Sequence, residues 1–134
     1  SGSMSKNDGE IVLLFGFEEQ QLKAVQMVLY LQQITGRCVP KQAYGMPLKL
    51  LAAKEEPLCL APSDMRELDG QMIVFAGLSG EKLERTLALL RANPACGKIP
   101  YKAVLTQTNQ EWNAYALLDE LKREHAAMHG RTGD

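Results

Sequence analysis

The chain has 134 residues, 46% apolar and 23% charged, the balance of a soluble globular domain large enough to bury a core. Its 15 basic and 16 acidic side chains leave a net charge of −1, which excludes a general attraction to nucleic acid or to an anionic membrane. No run approaches the roughly 20 apolar residues that span a bilayer, and Cys38, Cys59 and Cys96 are too scattered for a secreted disulfide framework.

Residues 1–10 read as an expression scar, "SGS", followed by a polar and disordered lead-in. A single α/β domain is expected over 11–129. Its first element, "IVLLF" (11–15), is the short continuous apolar run of a central strand covered on both faces. Acidic residues rather than basic ones precede it, so no signal peptide is expected, and the cytoplasm is the expected compartment. Gly16 then turns the chain into a helix that opens on Glu18 and Glu19, acids that complement the positive end of the helix dipole. Leu22, Val25, Val28 or Leu29, and Gln32 mark its inward face. Gly36 is placed as its stop, and "CVPKQAY" as the next strand.

The insert 46–70 reads as a short helix opened by Pro47, an extended "PLCLA", and a helical turn from Ser63 to Gly70. The first half then recurs. A shift of 61 residues lays 11–29 on "MIVFAGLSGEKLERTLALL" (72–90), with Gly16 on Gly77, Leu22 on Leu83, Leu29 on Leu90, and Gly36 on Gly97. Halves 11–44 and 72–105 are therefore expected to be equivalent βαβ units related by an approximate two-fold axis. The second half closes with the strand "IPYKAVL". Together they give an α+β, ferredoxin-like βαββαβ order with an insert and a C-terminal helix over 109–129. In this reading the two first strands pair parallel at the centre, with both glycine turns at one end. The alternative is a small three-layer α/β open sheet with helices on both faces.

Between the last strand and the last helix lies "LTQTNQEW" (105–112). The spacing makes Thr108 the helix N-cap with Glu111 as its capping-box partner, and Asn109 a competing cap. Ala114, Leu117, Leu118 and Leu121 would then face the sheet, with Trp112 and Tyr115 as an aromatic ridge in the core or at an interface. Thr106, Gln107 and Gln110 are left over and can line a polar site at the strand end.

The candidate ligand or partner site is thus Gly16, Gly77, Thr106, Gln107, Thr108, Asn109 and Trp112. A phosphate at the glycine turns lacks support, since neither G-x-G-x-x-G nor a P-loop is present and Glu18, Glu19 and Glu81 stand where an anion would go. His125 and His129 are one helical turn apart but have no further ligands nearby in sequence, so no metal and no cofactor are expected. Arg37, Lys41, Lys98 and Lys102 beside Tyr44 and Tyr101 read as solubilising edge-strand charges rather than a nucleic-acid surface.

The stretches "MIVFAGLSGEKLERTLALLR", "IPYKAVLTQTNQEW" and "LLDELKREH" resemble a small bacterial family known only as domain of unknown function 3783. The likeness is strongest over 70–128 and rests mainly on K-A-V-L-T-x-T-N. Gln107 stands where such sequences often carry proline. The resemblance implies a cytoplasmic bacterial protein and transfers no activity or catalytic residue. The expected function is a non-catalytic binding or regulatory module that self-associates, as a homodimer, or docks a protein partner. The alternatives are a small-molecule sensor with its ligand near the glycine turns, then a small enzyme using a cysteine or carboxylate.

Overall fold

The computed structural model describes residues 10–53, 68 and 70–132, with side chains to 127. The expectations for the N-terminal scar and for nearly all of 57–70 fall outside those residues, as does Cys59. The elements in chain order are β1 (Ile11–Phe15), α1 (Glu19–Leu31), β2 (Thr35–Cys38), α2 (Leu48–Leu51), β3 (Met72–Ala76), α3 (Gly80–Ala92), β4 (Tyr101–Val104) and α4 (Ala114–Thr132). Short 3₁₀ turns occupy Lys41–Ala43, Pro94–Cys96 and Asn109–Glu111.

Both apolar runs are strands with every residue buried. They form the centre of an open four-stranded sheet of order β2-β1-β3-β4. Their alternate side chains feed two cores. Val12, Leu14, Ile73 and Phe75 meet α1 and α3 on one face. Leu13, Phe15, Met72 and Val74 meet α2, α4 and the segment around Tyr44 on the other. The class is α+β with the expected βαββαβ order, and helices cover both faces as in the three-layer alternative. Each βαβ unit keeps its two strands adjacent and parallel, β1 with β2 and β3 with β4.

Two expectations are corrected. The second strand is Thr35–Cys38 rather than "CVPKQAY": Pro40 has no N–H to continue a ladder, and Lys41–Ala43 winds into a 3₁₀ turn. β1 and β3 pair antiparallel, Ile11 opposite Ala76 and Phe15 opposite Met72, so Gly16 and Gly77 lie at opposite ends of the sheet. The repeat survives this correction. Leu13 sits opposite Val74, its own counterpart under the 61-residue shift, so a pseudo-two-fold axis runs between them. Helices α1 and α3 are each 13 residues long and begin and end at shift-equivalent positions. Glu18 and Ser79, also equivalent, are their N-caps; only Ser79 bonds the helix, accepting from Lys82 N–H at 3.1 Å. Even the ties across the centre are related. Gln71 donates to Gln21 at 2.6 Å, and at the equivalent positions Lys82 donates to Glu10 at 2.7 Å. One pair of positions thus carries neutral amides at one end of the sheet and an ion pair at the other.

The equivalence ends with the helices. β1 pairs its first residue with Thr35, whereas β3 pairs its first with Tyr101, five residues beyond the shifted position of Thr35. The turn Pro94–Cys96 fills the difference. Gly36 and Gly97 are accordingly not matched helix stops. Gly36 lies inside β2, where a Cβ would collide with Gln26 and Leu29 of α1, so it is the point of close strand–helix approach. Gln33, at φ 61°, takes the left-handed position after α1. The real matched pair is Gly16 and Gly77, at φ 77° and 79°. Replacing Gly16 by Ala should cost about 1–2 kcal/mol, the penalty for a left-handed side chain, and a Cβ there would also press on Gly70 O at 3.2 Å. Gly80 is the first residue of α3, and a Cβ added to it would meet nothing within 4 Å. The same substitution there should gain about 0.4–1 kcal/mol. Urea unfolding of the two variants checks the contrast; effects of the same sign would contradict it.

Candidate functional site

The polar segment after β4 is a closed hydrogen-bonded turn. Leu105 N–H continues the ladder onto Phe75 O at 2.8 Å. Thr106 and Asn109 then bond each other reciprocally: Thr106 N–H donates to Asn109 Oδ1 at 2.8 Å, and Asn109 N–H donates to Thr106 Oγ1 at 3.1 Å. Asn109 Nδ2 also donates to Val104 O at 3.1 Å. The Asn109 side chain is buried, and its amide is engaged at both ends.

The N-cap assigned to Thr108 is corrected. Thr108 is helical, at φ −73° and ψ −53°, and makes no side-chain cap bond. The reciprocal pattern sits two residues earlier, on Thr106, with Asn109 in the role given to Glu111. Glu111 instead pairs with Lys49 of α2 at 3.0 Å. The helix starts later than expected because Trp112 is extended and the chain must turn again; Asn113 is the working cap, accepting from Ala116 N–H at 2.9 Å. Trp112 packs partly buried against the α4-side core, and its carbonyl accepts from Leu48 N–H at 2.8 Å. Ala114, Leu117, Leu118 and Leu121 face the sheet as expected.

Of the sequence-derived site residues, Thr106, Thr108, Asn109 and Trp112 come together along a groove of about 300 Å³ between β4 and α4, where Lys102, Glu120 and Glu124 also lie. Gly77 is at the same end of the sheet, Gly16 at the far end, and Gln107 is exposed outside the groove lining. No single site therefore contains both glycine turns. Arg37 is drawn away from the lysines as well: it donates to Leu51 O and, at 2.9 Å, to Ala53 O, tying β2 to the end of α2. His125 packs on Tyr101 in a tilted arrangement, with ring centroids 5.0 Å apart and planes at 46°. The side chain of His129 lies outside the described residues. Cys38 is exposed; Cys96 is buried, and burial pushes its thiol pKa up, away from the reactive thiolate.

Two further surfaces stand out, the first not anticipated from the sequence and the second read there only as edge-strand lysines. On α1, Met27, Tyr30 and Leu31 are 56%, 76% and 66% exposed and share one face, opposite the buried Val25, Val28 and Leu29. The run 24–36 contains no charged residue, a signal that was available in the sequence. At the other edge of the sheet, Arg91, Lys98, Lys102 and His125 surround a pocket between α3 and β4. Arg91 comes from the last turn of α3, and the lysines come from the two sides of Pro100.

Residues 71–128 match the family described as Domain of unknown function (DUF3783), the family that the sequence resembles. The matched span runs from β3 through α3 and β4 into α4, and includes the Thr106–Asn109 turn. No curated protein and no solved structure matches the chain. Among the described residues, no helix is long and apolar enough to cross a membrane.

Proposed function

We propose that this DUF3783-bearing chain is a non-catalytic binding module that self-associates through the outer face of α1 and the edge strand β2. The observation that carries the reading is the exposure of Met27, Tyr30 and Leu31. Side chains of that size on a surface helix mark an interaction face when they are contiguous and free of charge. The internal repeat supplies a control for what the fold requires. The positions equivalent to Met27, Tyr30 and Leu31 are Ala88, Arg91 and Ala92, so the same helix in the same place is built without a large apolar face.

A second copy is the occupant that fits best. In a two-fold interface the same patch meets itself, and like charges on it would repel; 24–36 has none. Beside the patch lies a recess lined by Tyr30, Leu31, Gln33, Ile34 and Thr35, placed to receive an aromatic ring from a symmetry-related α1. Strand β2 is an edge strand, and its outer side can continue a sheet. The non-catalytic part of the reading is supported by the turn after β4, where Asn109, its buried polar residue, commits its side chain to the backbone of Thr106 and Val104.

Hydrogen–deuterium exchange at two protein concentrations tests this. Amides in 27–36 should exchange more slowly in the concentrated sample, while those of the equivalent segment in α3 should not change. Uniform exchange at both concentrations, or protection that falls on α3 instead, would contradict the proposal.

A further inference from the structure

The pocket between the end of α3 and the start of β4 encloses about 580 Å³, within the size range of small-molecule sites. Its floor is apolar, made by Leu87, Leu90, Ile99 and Pro100. Among the described residues its charged lining is wholly basic: Arg91, Lys98 and Lys102 contribute and no carboxylate does. Lys102 Nζ donates to Ile99 O at 2.7 Å, which holds the ammonium over the floor. Partial burial lowers the Lys102 pKa, and the neighbouring Arg91 and Lys98 charges lower it further. Glu120 and Glu124 line the separate groove past Lys102.

An edge-strand lysine that discourages aggregation accounts for Lys102 alone. It does not account for Arg91, which comes from a helix, or for the apolar floor. Nor does the fold demand the charges. The position equivalent to Arg91 is Tyr30, and the recess at that opposite edge has no cation in its lining. The two halves therefore differ at this helix position, a cation in one and an aromatic ring in the other, and Arg37 and Lys41 of the first half lie outside the recess lining. Cations gathered against their own repulsion are stabilised by an anion that neutralises them together, and the guanidinium can chelate two oxygens of one group.

We infer that this pocket binds a small molecule carrying a phosphate group on a compact apolar body, with Arg91, Lys98 and Lys102 on the phosphate and Leu87, Leu90 and Ile99 under the body. The pocket lies at the β4 edge and shares no lining residue with the recess beside Tyr30 and Leu31, so it stands or falls separately from self-association.

The test is a two-dimensional amide NMR titration at constant ionic strength. The probes are phenyl phosphate, inorganic phosphate and phenol; the proteins are the full chain, a Lys98→Ala/Lys102→Ala variant, and Lys23→Ala on α1 as a control. Phenyl phosphate should give saturable shifts confined to 87–102, tighter than either fragment. The double variant should weaken it by about tenfold or more, equivalent to about 1.4 kcal/mol, and the control should leave it unchanged. Amide spectra of the variants report directly that they remain folded. The inference is overturned by a response that does not saturate, by phenol matching phenyl phosphate, or by undiminished binding in the double variant. It is also overturned if a single-stranded oligonucleotide binds with steep salt dependence and displaces phenyl phosphate, which would make the patch a nucleic-acid surface.

Discussion

Asn109→Ala is expected to lower stability by about 1–3 kcal/mol, because it removes hydrogen bonds to two part-buried backbone groups, each contributing about 0.5–1.5 kcal/mol. The groups are Thr106 N–H and Val104 C=O, both now held by the buried Asn109 amide. The side chain is therefore a brace between the end of β4 and the turn that leads into α4. Asn109→Asp separates the two bonds: it retains the acceptor for Thr106 N–H but loses the donor to Val104 O. It should fall between wild type and Asn109→Ala at neutral pH. Thr108→Ala should change stability by less than about 0.5 kcal/mol, the usual range for a surface position, because Thr108 caps nothing. Urea unfolding of the three variants decides. A Thr108→Ala cost as large as that of Asn109→Ala would contradict the assignment of the turn.

Phe15→Ala should cost about 3–5 kcal/mol, the range for deleting a large aromatic side chain from a packed interior. Phe15 ends β1 with no exposed surface. Its ring lies 5.6 Å from that of Tyr44, which in turn meets Tyr115 of α4 edge-on at 6.1 Å. This run of three rings links the central strand, the segment after β2 and the terminal helix. A cavity at its inner end removes contacts from all three. Val104→Ala in β4 removes an apolar side chain that is 45% exposed, and should cost well under half as much. Thermal or urea unfolding of both variants provides the check. A Phe15→Ala cost no greater than that of Val104→Ala would mean that this face is not the packed core described.

Most of the element list and the repeat were legible, because both rest on local periodicity; the second strand was not, since "CVPKQAY" is mostly turn and the strand is Thr35–Cys38. Two all-apolar runs could only be covered strands, and the stripes of Leu22, Val25 and Leu29 and of Leu83 and Leu90 could only be helix faces. The relative direction of β1 and β3 was not legible. A strand buried on both faces has no polar side to orient it, so nothing in "IVLLF" or "MIVFA" distinguishes a parallel neighbour from an antiparallel one. Gly36 misled because a glycine needed for close approach looks, in sequence, like a glycine needed for a left-handed stop. The 105–112 segment offered two Thr/Asn-type caps in series. The choice between them depended on the neighbouring Lys49, which takes Glu111, and on the backbone of 44–48, which fixes Trp112 and Ala114. Of the seven candidate site residues, five come from the continuous segment 106–112; four of these meet in the β4–α4 groove and Gln107 faces out. Gly77 lies at that end of the sheet through the parallel β3–β4 pairing, and Gly16 is removed from it by the antiparallel β1–β3 pairing.

The two edges differ for a reason that the repeat makes visible. The second half, which matches the DUF3783 family, bears the basic pocket, and the first half, outside the matched span, bears the charge-free helix face. We propose that the latter is an interface between two copies. Sedimentation equilibrium of the full chain, beside a Tyr30→Arg/Leu31→Ala variant that gives α1 the residues found at the same places in α3, tests it most directly. The unaltered chain is expected to be a concentration-dependent dimer and the variant a folded monomer. A chain that remains monomeric at the highest concentration reached, or a variant that dimerises as well as the parent, would contradict it.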